Sequence, residues 1–160
     1  MINQPQPSGP STDPSDDSAH PLSDEQAMAQ VVDPAKQLVG TANLNGIDAG
    51  FSFESCNDQG EPPYRGRVAL TFLIDGDSDA YLEKVQNAMV TDGWNVGGLP
   101  GQVSHANLLN KDGVTANMSL LPSDHTHSQI ILRGQCRNTT DHHNDGKTNG
   151  TNITSQVAPQ

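Results

Sequence analysis

The sequence predicts an α+β domain, an antiparallel sheet of about five strands with two helices packed on one face, in the order α-β-β-α-β-β-β. Three observations predict it. Two stretches place apolar residues at helical spacing, and the remaining apolar stretches alternate or run as strands do. Tight turns join those strands, which favours antiparallel neighbours.

The first helix is announced by Ser23 and Gln26, which have the spacing of a capping box. Met28, Val31, Val32, Ala35, Leu38, Val39 and Ala42 then recur on one helical face. Pro34 interrupts the pattern. Asp33-Pro34 makes a good N-cap and first-turn pair, so the firm helix is expected over 34–43, after a turn or two that are kinked.

Two strands follow, over Ile47–Cys56 and Arg65–Asp75. Phe51, Phe53 and Ser55 alternate with smaller or polar residues, and Val68 to Ile74 is a buried-strand run. Asn57 to Tyr64 between them carries every turn signal, so the pair is expected to form an antiparallel hairpin. Asp77 or Ser78 caps a second helix whose face holds Tyr81, Val85, Ala88 and Met89, with Gly93 as its stop and Trp94 folding back on it. Beyond a Gly- and Pro-rich loop, Val103–Leu109 and Val114–Leu121 are strands around an Asn110–Gly113 hairpin turn. Pro122–His127 turns again, and Gln129–Cys136 is the last strand.

The apolar residues are unevenly spread. The chain is 32% hydrophobic and 4% aromatic, with a mean hydropathy of -0.59. Residues 1–22 and 138–160 hold almost none of the large apolar side chains. The first segment, rich in Pro and Ser, is expected to be a disordered polar stalk and the last a flexible polar tail. Between them, 23–137 leaves about 115 residues, a common size for one core.

Charge excludes some functions. The net charge is -11, and Asp13, Asp16, Asp17, Asp24 and Glu25 face no Lys or Arg in the first 25 residues. Eight scattered Lys and Arg form no basic stripe, so nucleic acid is not an expected partner. An anionic membrane surface would be repelled for the same reason. No apolar run is long enough to span a bilayer. Met1 opens directly into polar residues, which suggests that a targeting segment precedes this sequence.

Cys56 and Cys136 could be buried free thiols in a reducing compartment or a structural bridge. They lack CxxC spacing and a second pair to complete a zinc site. Both fall at predicted strand ends, which favours a disulfide and an oxidising compartment.

The candidate sites are modest. In the loop after the first strand, Asp58 and Glu61 precede Pro62-Pro63-Tyr64-Arg65, a rigid segment suited to contacting a partner. The same segment could serve only to set the hairpin geometry. His125, His127, His142 and His143 lie near Asp124, Asp141 and Asp145 and are weak candidates for metal ligands, since ordering ligands in polar segments costs entropy. His105 beside Ser104 is more often packing than catalysis, and no hydrolase or phosphate-loop motif occurs. No cofactor is expected. The sequons at Asn117, Asn138, Asn149 and Asn152 read as chance in an Asn- and Thr-rich composition.

Several short segments together resemble the LppA-type lipoproteins of mycobacteria. They are Val31-Val32-Asp33-Pro34-Ala35, Ser55-Cys56 with Pro62-Pro63-Tyr64, Asp92-Gly93-Trp94, Lys111-Asp112-Gly113-Val114, Gly134-Gln135-Cys136-Arg137 and Asp141-His142. They cover the chain in order from about residue 27 to 145. The resemblance implies an exported protein held on the outer face of the plasma membrane by a lipidated N-terminal Cys, and it implies no activity. No Cys precedes Cys56, so either the acylated residue lies upstream of these 160 or this relative is not lipidated. The expected function is therefore a non-catalytic, monomeric envelope lipoprotein domain that binds a partner protein, glycan or lipid. The competing reading is a hydrolase or metal-dependent envelope enzyme that uses the histidines.

Overall fold

The computed structural model describes residues 20–57, 59–98, 107–121 and 124–158, with the side chains of 124 and 125 left aside. The stalk expected at 1–22 lies outside these residues except for its last three, as do Asp58, Ser104 and His105. The described elements are α1 (Asp24–Thr41), β1 (Asp48–Ser55), β2 (Tyr64–Leu73), α2 (Ser78–Thr91), β3 (Asn95–Val96), β4 (Leu108–Lys111), β5 (Val114–Leu121), β6 (Asp124–Arg133), β7 (Thr151–Asn152) and α3 (Thr154–Val157). The strands form one antiparallel sheet in the order β3-β4-β5-β6-β2-β1-β7. This is the expected α+β class with a two-residue strand added at each edge. Such short edge strands leave little unpaired backbone for another chain to join.

α1 is one helix from Asp24 to Thr41 with Pro34 inside it, where the sequence suggested a kinked start and a firm helix from 34. Pro34 removes one backbone donor. The complete capping box at Ser23 and Gln26 and the buried stripe Ala27, Val31, Ala35, Leu38 outweigh that loss. α2 is capped by Asp77, whose side chain accepts from the Ala80 N–H, and Trp94 is buried against it with its N–H donating to the Met89 carbonyl.

Alternation along β2 sets the two faces of the sheet. Tyr64, Gly66, Val68, Leu70 and Phe72 are buried, while Arg65, Arg67, Ala69 and Thr71 are half-buried. The helices cover the first face. A Cβ on Gly66 would lie 2.6 Å from the Ala27 carbonyl oxygen and 2.9 Å from the Val31 side chain, so glycine lets α1 lie directly on the strand. Phe72, on the same face, meets Tyr81 of α2 with ring centroids 6.2 Å apart.

Two boundaries differ from the sequence reading, and a third lies partly outside the described residues. Asp112 and Gly113 form the β4–β5 turn alone, both with positive φ, so Asn110 and Lys111 belong to the strand. β4 is described from Leu108, and the 103–106 part of the expected strand lies outside the described residues. β6 begins at Asp124 where a turn was expected, because Leu73 and Phe72 of the long β2 offer partners to His127 and Ser128.

The expected flexible tail is also corrected. Residues 138–158 pack on the domain: β7 pairs with β1, Phe53 N–H donates to the Lys147 carbonyl, and Ile153 and Val157 are buried. Two apolar residues sufficed because neighbouring polar groups hydrogen-bond inward, among them the Thr154 hydroxyl, which accepts from the Ala49 N–H. Cys56 and Cys136 form a disulfide. It joins the chain just beyond β1 to the chain just beyond β6, across the start of β2 that runs between them.

Two measurements check this architecture. Gly66→Ala should destabilise the domain by about 1–3 kcal/mol, read as a lower urea midpoint, because α1 must lift from the sheet. Cys56→Ser with Cys136→Ser should cost about 4.5 kcal/mol on the loop-entropy account for a separation of 80 residues.

Candidate functional site

The face of the sheet turned away from α1 and α2 has no helix over it among the described residues. Strand register aligns its side chains in rows. One row holds Arg67 of β2, Arg133 of β6 and Thr115 of β5 as direct cross-strand partners, and the row beside it pairs Glu54 of β1 with Arg65 of β2. Two like charges directly opposite each other destabilise a sheet. Here Glu54 sits between them: its Oε1 lies 2.8 Å from Arg65 Nε and 2.9 Å from Arg133 Nε, and its Oε2 lies 3.7 Å from Arg67 Nε.

The electrostatics follow from the geometry. Partial burial pushes the Glu54 carboxyl up, but Arg133 and Arg65 outweigh it and hold the group below the ordinary glutamate range. All three arginines engage Glu54 through Nε. Among the described residues their Nη groups have no acceptor, and the side chains are 24–30% exposed. Three guanidinium groups on one carboxylate leave a local surplus of two positive charges on a chain of net charge -11.

A second polar cluster lies on the helix side, where the chain enters the domain. His142 is fully buried, stacked on Phe53 at 4.0 Å and edge-on to Tyr64. Its Nδ1 lies 2.7 Å from Asp145 Oδ2, and its Nε2 lies 2.8 Å from Asn138 Oδ1 and 3.3 Å from Asp24 Oδ1. Asn138, also fully buried, donates from Nδ2 to the Leu22 carbonyl and to Asp24 Oδ1. Burial pushes the Asp24 carboxyl up, but bonds from Asn138 and Thr140 and the nearby His142 and Lys147 bring it below the ordinary range. Asp145 is lowered chiefly by the Lys147 N–H and then by His142. Every polar atom of this cluster faces a partner, and solvent does not reach the ring. Its chemistry is structural.

In the candidate recognition loop at 57–67, the alternative role in setting the hairpin geometry fits Tyr64 better. Tyr64 is fully buried and its hydroxyl donates to the Gly60 carbonyl, so it is a core aromatic and not a surface anchor. Its burial, and next the Asp141 carboxylate, push its hydroxyl above the ordinary phenol range. Asn57 organises the loop, accepting from the Gln59 and Glu61 N–H groups and donating to the Pro62 carbonyl; the Pro62–Pro63 bond is cis. Glu61 is exposed, Arg65 is drawn to Glu54, and Asp58 lies outside the described residues.

The histidines do not converge. His142 is enclosed, His143 is exposed beyond it, His127 lies in β6 beside Leu73, and the His125 side chain is outside the described residues. Among the described residues no three His, Cys, Asp or Glu side chains group as a metal site would require. The space between helices and sheet is filled by Val31, Leu38, Val68, Leu70, Phe72 and Met89. A cleft of about 310 Å3 opens at the rim, lined by Gln30, Asp33, Gln37, Asp92, Trp94 and Lys111, and its polar wall is paired internally: Gln37 and Lys111 both bond Asp92.

The arginine cluster was missed in the sequence. Arg65 and Arg67 share a strand face by their spacing of two, a visible signal. Arg133 and Glu54 join them only once β6 and β1 are placed on either side of β2.

Comparison with known proteins gives a consistent picture. The family model described as "Putative lipoprotein LppJ" matches residues 23–156, which takes in the packed segment after 137 as well as the expected domain. The chain is 57% identical over 157 residues to proteins of that description from Mycobacterium tuberculosis strains H37Rv and CDC 1551 and from Mycobacterium bovis. Those alignments cover 98% of this chain and 82% of each relative. No solved structure matches significantly. The sequence resemblance pointed to a mycobacterial lipoprotein family, and the match is to one; its label is LppJ where the resemblance named the LppA type.

The buried cluster makes two predictions. Asn138→Ala, which strands buried partners of His142 and Leu22, should cost about 1–3 kcal/mol in urea unfolding. For Asp24 and Asp145 the folded pKa lies below the unfolded one. Their contribution is present above the unfolded carboxylate value of about 3.9 and is lost as pH falls through the lowered native value. Asp145→Asn should therefore lower the melting temperature at pH 7 and flatten its fall below about pH 4.

Proposed function

The chain belongs to the LppJ lipoprotein family, and on that premise we propose that it is the exported head of an envelope lipoprotein, binding a partner through the open face of its sheet and performing no chemistry. An N-terminal lipid upstream of this sequence holds the head at the outer face of the plasma membrane. The observation that carries the reading is the contrast between the two sheet faces. One is closed by α1, α2 and the segment after Cys136. The other displays half-buried Arg65, Arg67, Arg133, Thr115 and Gln129 in fixed rows on rigid strands, with exposed Asn117 among them.

Rigid strands suit recognition because the polar groups are held in place before a partner arrives, so little ordering entropy is lost on binding. The Cys56–Cys136 disulfide supports export, since such bonds persist in oxidising compartments. The filled core favours surface contact over carriage of a lipid inside the domain.

Photo-crosslinking in mycobacterial envelope preparations tests this reading. A photoreactive residue replacing Asn117 on the open face should yield adducts, and one replacing exposed Glu83 on α2 should not. Adducts from Glu83 alone would overturn it.

A further inference from the structure

We infer that Arg65, Arg67 and Arg133 form an anion site for the carboxylate or phosphate groups of an acidic polysaccharide. The inference rests on reading the open sheet face as the binding surface, and it adds the class of ligand. Its starting point is an imbalance. A structural ion-pair cluster on a sheet gains most when its charges match, yet Arg67 and Arg133 are direct cross-strand partners, Arg65 is on the same face, and Glu54 is the carboxylate they share. With 19 acidic residues available, the chain places no second carboxylate in reach among the described residues. The surplus positive charge raises the energy of the free domain and is relieved by an added anion.

The donors suit an oxyanion. Each guanidinium engages Glu54 through Nε, so its planar pair of Nη groups remains for two-point contact with a carboxylate or phosphate. On the same face stand Thr115 in the Arg67–Arg133 row, Asn117 one row on and Gln129 in the row after that, hydroxyl and amide groups matched to sugar hydroxyls. Half-buried Ala69 and Ile131 lie in the next row and offer an apolar floor for a sugar ring.

Charge also selects among anions. A uniformly anionic bilayer would face the remaining carboxylates of a chain of net charge -11, and repulsion would oppose docking within a Debye length of about 8 Å. A flexible acidic polymer can set one or two charged groups on the cluster and route the rest away from the acidic surface.

The test uses the whole chain and four probes: oligogalacturonate, uncharged dextran, inorganic phosphate, and phosphatidylglycerol vesicles. Oligogalacturonate should bind by calorimetry and raise the melting temperature, with affinity falling as salt rises. Dextran and vesicles should not bind, and phosphate should compete weakly. Arg67→Gln and Arg133→Gln should each weaken binding by about tenfold or more, and Arg67→Gln, which removes no hydrogen bond to Glu54, should do so with the melting temperature in buffer unchanged or raised. Glu54→Gln should do the opposite, tightening oligogalacturonate binding while lowering the melting temperature. A purely structural cluster predicts that all three substitutions lower the melting temperature and none changes binding; that result overturns the inference, as does binding to vesicles in preference to the saccharide. If adducts still form at Asn117 while oligogalacturonate fails to bind, the ligand class is wrong and the binding face stands.

Discussion

Tyr64 and Asn138 exchange backbone hydrogen bonds, 2.6 and 3.0 Å, at the point where β2 begins and the segment after the last long strand returns. Much of the molecule converges on that pair. The Asn138 amide holds the Leu22 carbonyl and Asp24 at the entry to α1, while its oxygen faces His142. His142 in turn fills the space between Phe53 and Tyr64 and fixes Asp145. The disulfide lies beside it, two residues before Asn138. One buried amide therefore ties the start of the first helix, the central strand and the returning chain together, and a side chain without matched donors and acceptors could not replace it.

This closure divides the labour of the sheet. The helix side is sealed by apolar packing and by polar groups that satisfy one another, so its titratable residues are committed to structure. The other side displays half-buried and exposed side chains in strand register, Arg65, Arg67 and Arg133 beside Ala69 and Ile131. Among the described histidines, the one with the most charged partners, His142, is also the one fully removed from solvent.

The α+β class, both long helices and the existence of the five longer strands were legible in the sequence, because each rests on local signals: a capping box at Ser23, alternation along β2, a turn signal within 110–113 that the structure narrows to Asp112-Gly113. Cys56 and Cys136 were legible as a bridge for the same reason, since strand ends can be read locally. The segment after Cys136 was misjudged because composition averages over it, and its two anchors, Ile153 and Val157, find their pockets only on a folded domain. Tyr64 was misjudged as well. Its loop is polar, but its place in the β2 alternation puts the ring on the buried face.

What the sequence determined by itself is thus the set of elements, their caps and turns, and the apolar stripe each would bury, all governed by contacts a few residues apart. The tertiary structure decided what lies side by side. Strand order alone placed Glu54, Arg65 and Arg133, residues up to 79 positions apart, in one cluster. The polar tail is likewise held on the domain, with β7 against β1 and His142 buried beside Phe53 and Tyr64. Pairing across the sheet depends on the whole chain finding one register, and no local pattern of charges records which strands will be neighbours.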